Sequence, residues 1–305
     1  MAGLEERFLS GSSIARYFDL VTGTSTGGIL ALGLASGLTG RDMLKLYVDR
    51  GHEVFPPGPS GVAGRLWRWW RDKALYLSTR YDREGLERLM QSTLGDRLFG
   101  DAASRLCIPA FDGRHSEVYV FKTPHHPDYR TDRHERMAKV ALATAAAPAF
   151  FRPLSDNGYT FVDGGVWANN PVMLGVIEAL TCFDVDRDQI EVLSLGCGED
   201  PYVVSPGQLR GGGLFAWKDI IYAAMRLQSL AATNQVRLLL GPQSVIRIDA
   251  PTNEKKMALD DWRRAVDELP PHAHCALDAH GAAIATKFLQ EPATEYVPCN
   301  EVSDP

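Results

Sequence analysis

The chain has 305 residues, 45 % of them hydrophobic and 23 % charged, with a net charge of −6 and a pI near 5.8. That is ordinary composition for a globular protein with a sizeable core, and its acidic balance argues against a nucleic-acid polymer as partner, which would need a basic face. The five cysteines (Cys107, Cys182, Cys197, Cys275 and Cys299) form no C-x-x-C pair and are odd in number, so neither a zinc ribbon nor a closed disulfide framework is indicated and a reducing cytoplasm fits; the first thirteen residues carry no signal-peptide core, and no uninterrupted apolar run of about 18 residues is present.

In chain order, residues 3–16 predict a short amphipathic helix with Leu4, Phe8 and Leu9 on one side, broken at Gly11. The β-leaning run Phe18-Asp19-Leu20-Val21 then enters Gly23-Thr24-Ser25-Thr26-Gly27-Gly28, and a helical pattern of small residues leaves it: strand, sharp turn, helix. Such a turn holds Ser25 at its apex with Oγ exposed as a nucleophile. Side chains at Gly23 or Gly27 are expected to collide with the facing strand or helix. The Thr26 N–H and the positive end of the helix point at an oxyanion forming beside Ser25. In a chain with 28 glycines the five letters alone arise by chance, so the strand and helix around them carry the weight.

Thr39 caps a helix over 40–50, which Phe55-Pro56-Pro57-Gly58-Pro59 ends. Residues 51–78 are irregular and hold Trp67, Trp69 and Trp70 among Arg65, Arg68 and Arg71. Two readings stand: an interfacial loop with tryptophans at headgroup level, or a lid buried against the domain or against a second copy in a homodimer. Asp82 caps a helix to about Leu94, with Gly95 just past its end. Segments 104–111 and 116–122 alternate around Asp112-Gly113 and predict a hairpin at a sheet edge. A helix over 134–147 stops at Pro148, and a strand over 159–162 delivers Asp163-Gly164-Gly165. Asn170-Pro171 reads as N-cap and first position of a helix to Thr181. A strand over 190–195 runs into Gly196-Cys197-Gly198, followed by a long helix over 214–240, a strand at 243–248, and helices near 257–268 and 275–290. The alternation predicts one α/β domain over 1–305, with a mostly parallel central sheet, helices on both faces, a motif-bearing part at 14–200 and a helical part at 214–290.

A lone carboxylate with a pKa near 3.9 is a weak base for a serine, so Asp163 needs a desolvated place close to Oγ; Gly164 and Gly165 permit that approach, and two strand ends on one edge of a parallel sheet would bring the pair together. Read alone, Asp163 is equally a loop-capping aspartate. The rivals for the base are His115, His125, His126, His272, His274 and His280, none of which follows an apolar strand in a way that presents it at a sheet edge; each reads as a surface or satisfied histidine. His125-His126 lacks metal-ligand spacing, and no metal is expected. Cys197 reads as a small residue at a strand end, or as a reactive thiol.

These residues carry a family likeness. Phe18-Asp19-Leu20-Val21 before Gly23-Thr24-Ser25-Thr26-Gly27-Gly28, the run Ala145-Ala146-Ala147-Pro148-Ala149-Phe150-Phe151-Arg152-Pro153, Asp163-Gly164-Gly165 with Asn169-Asn170-Pro171, and Leu193-Ser194-Leu195-Gly196-Cys197-Gly198 together resemble the patatin-like phospholipases, in the family's order over positions 18–198. The resemblance implies a three-layer patatin-like sandwich and phospholipase A-like hydrolysis of lipid acyl esters by a Ser–Asp dyad without histidine, with Ser25 at the nucleophile's position and Asp163 at the base's. No cofactor is required for it. More narrowly, the chain is similar to bacterial effectors of anti-phage (CBASS-type) defence, which implies a cyclic dinucleotide activator, a phospholipid substrate and a cytoplasmic protein working peripherally at the inner membrane surface.

One departure stands out: nothing in residues 1–22 matches the family's Asp-Gly-Gly-Gly-x-Arg-Gly loop, which supplies oxyanion donors ahead of the elbow. A working form beginning roughly 20–30 residues upstream of Met1 is expected on that account, an ordinary length for a strand, a loop and a helix turn. Failing that, Gly164 and Gly165 are the first place to seek replacement donors. The departure also keeps a catalytically inactive sensor or scaffold open as an alternative, beside an esterase or thioesterase with a Ser-His-Asp triad.

Overall fold

The structure, a computed structural model, describes residues 1–56, 79–198, 203–204, 220–249 and 257–299. Its centre is strand β2 (Arg105–Asp112), buried along most of its length. Strand β1 (Leu20–Thr22) lies parallel to the start of β2, with Thr22 opposite Cys107. Strand β3 (Glu117–Lys122) pairs antiparallel with β2 as the other half of a hairpin, and so takes the edge expected of it. Strand β5 (Tyr159–Asp163) also pairs antiparallel with β2, with Asp163 opposite Ala110, and carries β4 (Leu154–Asp156) outside it. A separate parallel pair joins β6 (Val192–Leu195) to β7 (Val245–Ile248).

The sheet is therefore mixed, not mostly parallel: β1–β2 and β6–β7 run parallel, while the β2–β3, β2–β5 and β4–β5 pairings run antiparallel. The cause is local. Short connections can join only antiparallel neighbours, and the β4–β5 link is an Asn157-Gly158 turn with both residues at positive φ (45° and 86°), the geometry that two-residue hairpins favour.

Helices cover both faces. On one, α2 (Thr26–Ala35), α3 (Gly40–Val54), α4 (Glu84–Leu94) and α5 (Met137–Thr144) bury Leu32, Met43, Met90 and Val140 against Leu106, Ile108 and Ala110 of β2. On the other, α7 (Val172–Cys182) lies over β1, where a side chain at Gly175 would come within 3.0 Å of the Thr22 methyl, and behind it α8 (Ile220–Leu240) closes a second cluster around Val176 and Val236. Between β5 and α7 sits α6 (Gly165–Ala168), one turn long. A third cluster joins α1 (Ala2–Phe8) to α9 (Trp262–Phe288) through Leu4, Leu9 and Ile284. This is the three-layer α/β architecture expected. Among the described residues no helix is long and apolar enough to cross a membrane.

The element ends differ from expectation where tertiary contacts intervene. Thr39 and Asp42 form the capping box of α3. Asp82, in contrast, does not cap α4, whose N-cap is Arg83: the preceding backbone is held outward by Arg80 N–H to Ala149 O and Tyr81 N–H to Phe150 O. Helix α7 begins one residue later than read, with Pro171 at the N-cap, although the Asn170 side chain still accepts the Val172 N–H at 3.1 Å. The two helices expected beyond residue 257 are one, α9, which runs through Pro270 and Pro271. Two prolines remove two backbone donors, yet the element runs on through them; its buried residues, Gly281 and Ile284, lie in its second half, against α1.

Candidate active site

The pairing register decides what meets at the site. Strands β1 and β5 lie along the same flank of β2 but run towards each other, β1 ending opposite Cys107 and β5 opposite Ala110. Ile108 and Pro109 span the gap between their ends. Ser25 and Asp163 are thus brought together end to end across that gap, not side by side on the edge of a parallel sheet.

Into the gap the chain folds the tight turn read from sequence. A Cβ at Gly23 would stand 2.1 Å from Gly27 O, so only glycine fits there. Gly27 itself faces open space, contrary to expectation; the second crowded position is Gly28, where a Cβ would stand 2.7 Å from the Thr144 methyl. Ser25 sits at φ 55°, ψ −123°, a left-handed conformation rare for a side-chain-bearing residue, and α2 starts immediately after it at Thr26. Strain of this kind persists only where surroundings over-determine it, and they do: Ser25 N–H donates to Thr144 Oγ1 at 3.0 Å, Gly27 N–H to Thr24 O at 2.8 Å, and Thr24 Oγ1 to Ala168 O at 2.6 Å.

Ser25 Oγ donates to Asp163 Oδ2 at 2.6 Å, and Asp163 Oδ1 accepts the Gly165 N–H at 2.7 Å. The aspartate is 4 % exposed. Burial pushes its carboxyl up from 3.8 to about 6, and the hydrogen bonds from Ser25 and Gly165 hold the rise back from going further. A side chain at Gly164 would stand 2.2 Å from Pro109 O, so the close approach expected of this glycine is real.

The oxyanion side has one donor of known placement, the N–H of Thr26. As the first residue of α2 it has no partner within the helix, and it lies at the positive end of the helix dipole. Gly164 and Gly165 do not supply replacement donors: their N–H groups are spent on Thr144 O at 3.4 Å and on Asp163 Oδ1.

The rival histidines are engaged elsewhere. His125, buried, bonds Thr123 Oγ1 at 2.9 Å and Glu178 Oε1 at 2.9 Å; His115 bonds Asp112; His126 Nδ1 accepts the Asp128 N–H at 3.3 Å. His272, His274 and His280 lie along α9. Among the described residues no histidine is hydrogen-bonded to Ser25 or Asp163. The donor atoms of Cys107, His125 and Glu178 lie within 4.8 Å of one another, the one grouping among the described residues with a metal-like donor set. It is a closed ion-pair network instead, because Lys122 Nζ takes Glu178 Oε2 at 2.6 Å while His125 takes Oε1, and burial keeps the Cys107 thiol protonated well above its usual range. Cys197 is exposed, not buried as a strand-end residue. Trp67, Trp69 and Trp70 lie outside the described residues.

The family profile described as patatin-like phospholipase matches residues 3–176, more than half of the chain, and includes both Ser25 and Asp163. The chain belongs to the patatin-like phospholipase family. This patatin-like chain is 36 % identical over 203 residues to a cGAMP-activated phospholipase of Escherichia coli, covering 64 % of this chain and 55 % of that protein. It is 33 % identical over 223 residues to one of Vibrio cholerae, covering 70 % and 62 %, and 29 % identical over 287 residues to one of Pseudomonas aeruginosa, covering 92 % and 82 %. The patatin-like chain thus spans between about half and four fifths of the length of these curated relatives. The narrower likeness drawn from sequence agrees with them.

The site carries one expectation independent of its chemistry. Keeping a carboxylate charged where its pKa is about 6 instead of 3.8 costs about 3 kcal/mol at neutral pH. The sign follows from the raised value: the cost is fully present above about pH 6 and fades as pH falls from about 6 towards 3.8, where folded and unfolded states are both protonated. Asp163→Asn is therefore expected to melt higher than the wild type at about pH 8 and level with it near pH 4. Equal melting of the two proteins at both pH values would show that Asp163 is not strained.

Proposed function

We propose that the protein is a lipid acyl-ester hydrolase of phospholipase A type, working through a Ser25–Asp163 dyad. The observation that carries the reading is the 2.6 Å hydrogen bond from Ser25 Oγ to a buried carboxylate whose pKa stands near 6. Burial makes Asp163 a far better base than a solvated carboxylate while leaving it ionised at neutral pH. In the forward step Ser25 Oγ attacks the ester carbonyl as its proton passes to Asp163 Oδ2. The oxyanion develops beside the Thr26 N–H and the end of α2, and the leaving alcohol takes the proton from Asp163. Water then attacks the acyl-Ser25 ester as Asp163 accepts its proton, the acyl–Oγ bond breaks, and Asp163 returns the proton to Ser25 Oγ as the fatty acid leaves.

By the same reading the substrate is a phospholipid met at a membrane surface from the cytoplasmic side, a cyclic dinucleotide switches the enzyme on, and the protein serves as a membrane-degrading effector. Three relatives named as cGAMP-activated phospholipases support the phospholipid substrate and the cyclic dinucleotide. The test is release of free fatty acid from phosphatidylglycerol and phosphatidylethanolamine vesicles by the purified chain, with and without cGAMP. Fatty acid released in the presence of cGAMP and abolished by Ser25→Ala is the expected result. No release under either condition would favour the scaffold alternative.

Asp163 must be ionised to accept a proton, so kcat/KM on a soluble ester is expected to rise with pH through an apparent pKa of about 6 and level off above it. A profile flat from about pH 5 to 8 would remove Asp163 from the base role.

A further inference from the structure

We infer that Thr144, the last residue of α5, is a positioning residue that sets the register between the two halves of the dyad. The inference rests on the reading of Ser25 and Asp163 as nucleophile and base, and adds the part that holds them at reacting distance.

A threonine at the end of a buried helix ordinarily returns its hydroxyl to the carbonyl four residues back. Thr144 does not. It is fully buried, and its hydroxyl leaves the helix to donate to Pro109 O at 2.7 Å, in the stretch of β2 between the ends of β1 and β5. With its one proton spent there, Oγ1 presents a lone pair, and that lone pair accepts the Ser25 N–H at 3.0 Å. The carbonyl of the same residue accepts the Gly164 N–H at 3.4 Å, and two residues on, Ala146 O accepts the Asp163 N–H at 3.0 Å. The methyl packs where Gly28 has no side chain, 2.7 Å from the position a Cβ would take.

One residue therefore touches the nucleophile's backbone, the loop that carries the base, and the central strand between them. Its placement explains how the dyad holds at 2.6 Å although β1, which leads into the turn of Ser25, and β5, which ends at Asp163, are not paired with each other and approach from opposite directions. It also explains how Ser25 keeps φ at 55°: the N–H that this conformation turns away from α2 is taken by Thr144. A displacement of about 1 Å between reacting groups costs about 10²-fold in rate, so the bond acts through geometry without touching substrate.

Thr144→Val keeps the shape and removes only the hydroxyl, leaving the Ser25 N–H and Pro109 O unpaired. Active sites are first counted by fluorophosphonate labelling of Ser25, and the acylation rate of a nitrophenyl ester is then measured per labelled site. Thr144→Val is expected to lower kcat per site by about 10- to 100-fold with KM within about threefold, and Thr144→Ser, which keeps the hydroxyl, to restore kcat to within a few fold. A residue of merely structural worth would lower the number of sites or the melting temperature and leave the rate per site alone; that outcome overturns the inference. Should Thr144→Val give no folded protein, Thr144→Ala removes the same hydroxyl with less crowding and is judged by the same per-site rate. Failure of the dyad itself looks different, since wild-type protein would then escape labelling at Ser25 or Ser25→Ala would keep its activity.

Discussion

Ser25→Ala and Asp163→Asn are each expected to lower ester hydrolysis by about 10⁴-fold or more, and the double variant to be no worse than either single one. The non-additivity follows from the bond between them. Ser25 Oγ has its proton directed to Asp163 Oδ2 at 2.6 Å, and no histidine among the described residues bonds either group to take over. Once the serine is gone the base has nothing to deprotonate, and once the carboxylate is gone the hydroxyl attacks only at the rate of an unassisted alcohol. Steady-state kinetics on a soluble ester, with binding of a non-hydrolysable analogue to show that the sites are intact, measure both points. Two independent losses that multiply in the double variant, or an Asp163→Asn enzyme with more than about a tenth of wild-type kcat, would dismiss the dyad. The melting of Asp163→Asn, expected to be above wild type over about pH 6, separates loss of chemistry in that variant from unfolding.

What could be read in the sequence was whatever is decided within a few residues. The strand, Gly23 to Gly28 and the helix after them form a turn whose demands are local, and so do the capping box of Thr39 with Asp42 and the hairpin at Asp112-Gly113. The Asn157-Gly158 turn carries an equally local signal, and it decides the antiparallel β4–β5 pairing. The meeting of Ser25 and Asp163 across Ile108 and Pro109 was not legible, because it depends on where two strands stop along a third, and register has no signature outside the paired strands. Gly27 and Gly28 could not be told apart for the same reason: the clash that selects glycine at Gly28 comes from the Thr144 methyl, more than a hundred residues on. Thr144 itself was invisible, one hydroxyl in an alanine-rich helix whose bonds all lead out of that helix. The join through Pro270-Pro271 is the reverse case, a strong local stop that does not end the helix.

The largest expected effect on stability lies away from the dyad, at Glu178. Its side chain is 4 % exposed and accepts from Lys122 Nζ at 2.6 Å and from His125 Nε2 at 2.9 Å, while Thr123 Oγ1 holds the other ring nitrogen of His125 at 2.9 Å. A carboxylate only accepts, so Nε2 carries the proton and the imidazole is locked between the two partners. Burial alone would raise the Glu178 carboxyl, but the hydrogen bonds from His125, Lys122 and Tyr129 outweigh it and bring the value from 4.5 down to about 2. For a depressed carboxyl the stabilisation is fully present above the unfolded value of 4.5 and is lost as pH falls from there towards about 2.

Breaking a buried pair from one side costs about 3–5 kcal/mol. Glu178→Ala is expected at the lower end of that range, since the Lys122 side chain is 25 % exposed and can turn part of its charge to water. Glu178→Gln keeps the shape and loses the charge, so its deficit against wild type should be widest near pH 7 and close as pH drops below about 4. Adding Lys122→Met to Glu178→Leu should recover most of the loss, because an apolar pair of similar volume leaves no charge stranded. Denaturant melts across that pH range test all three. Glu178, on α7, bonds Lys122 at the end of β3 and His125 in the chain after it and has no hydrogen bond to Ser25 or Asp163, so below the melting temperature kcat should stay within about threefold of wild type. A Glu178→Gln protein as stable as wild type at pH 7, or one whose stability holds while its kcat collapses, would mean that this network serves the reaction and not the packing of α7 against the sheet.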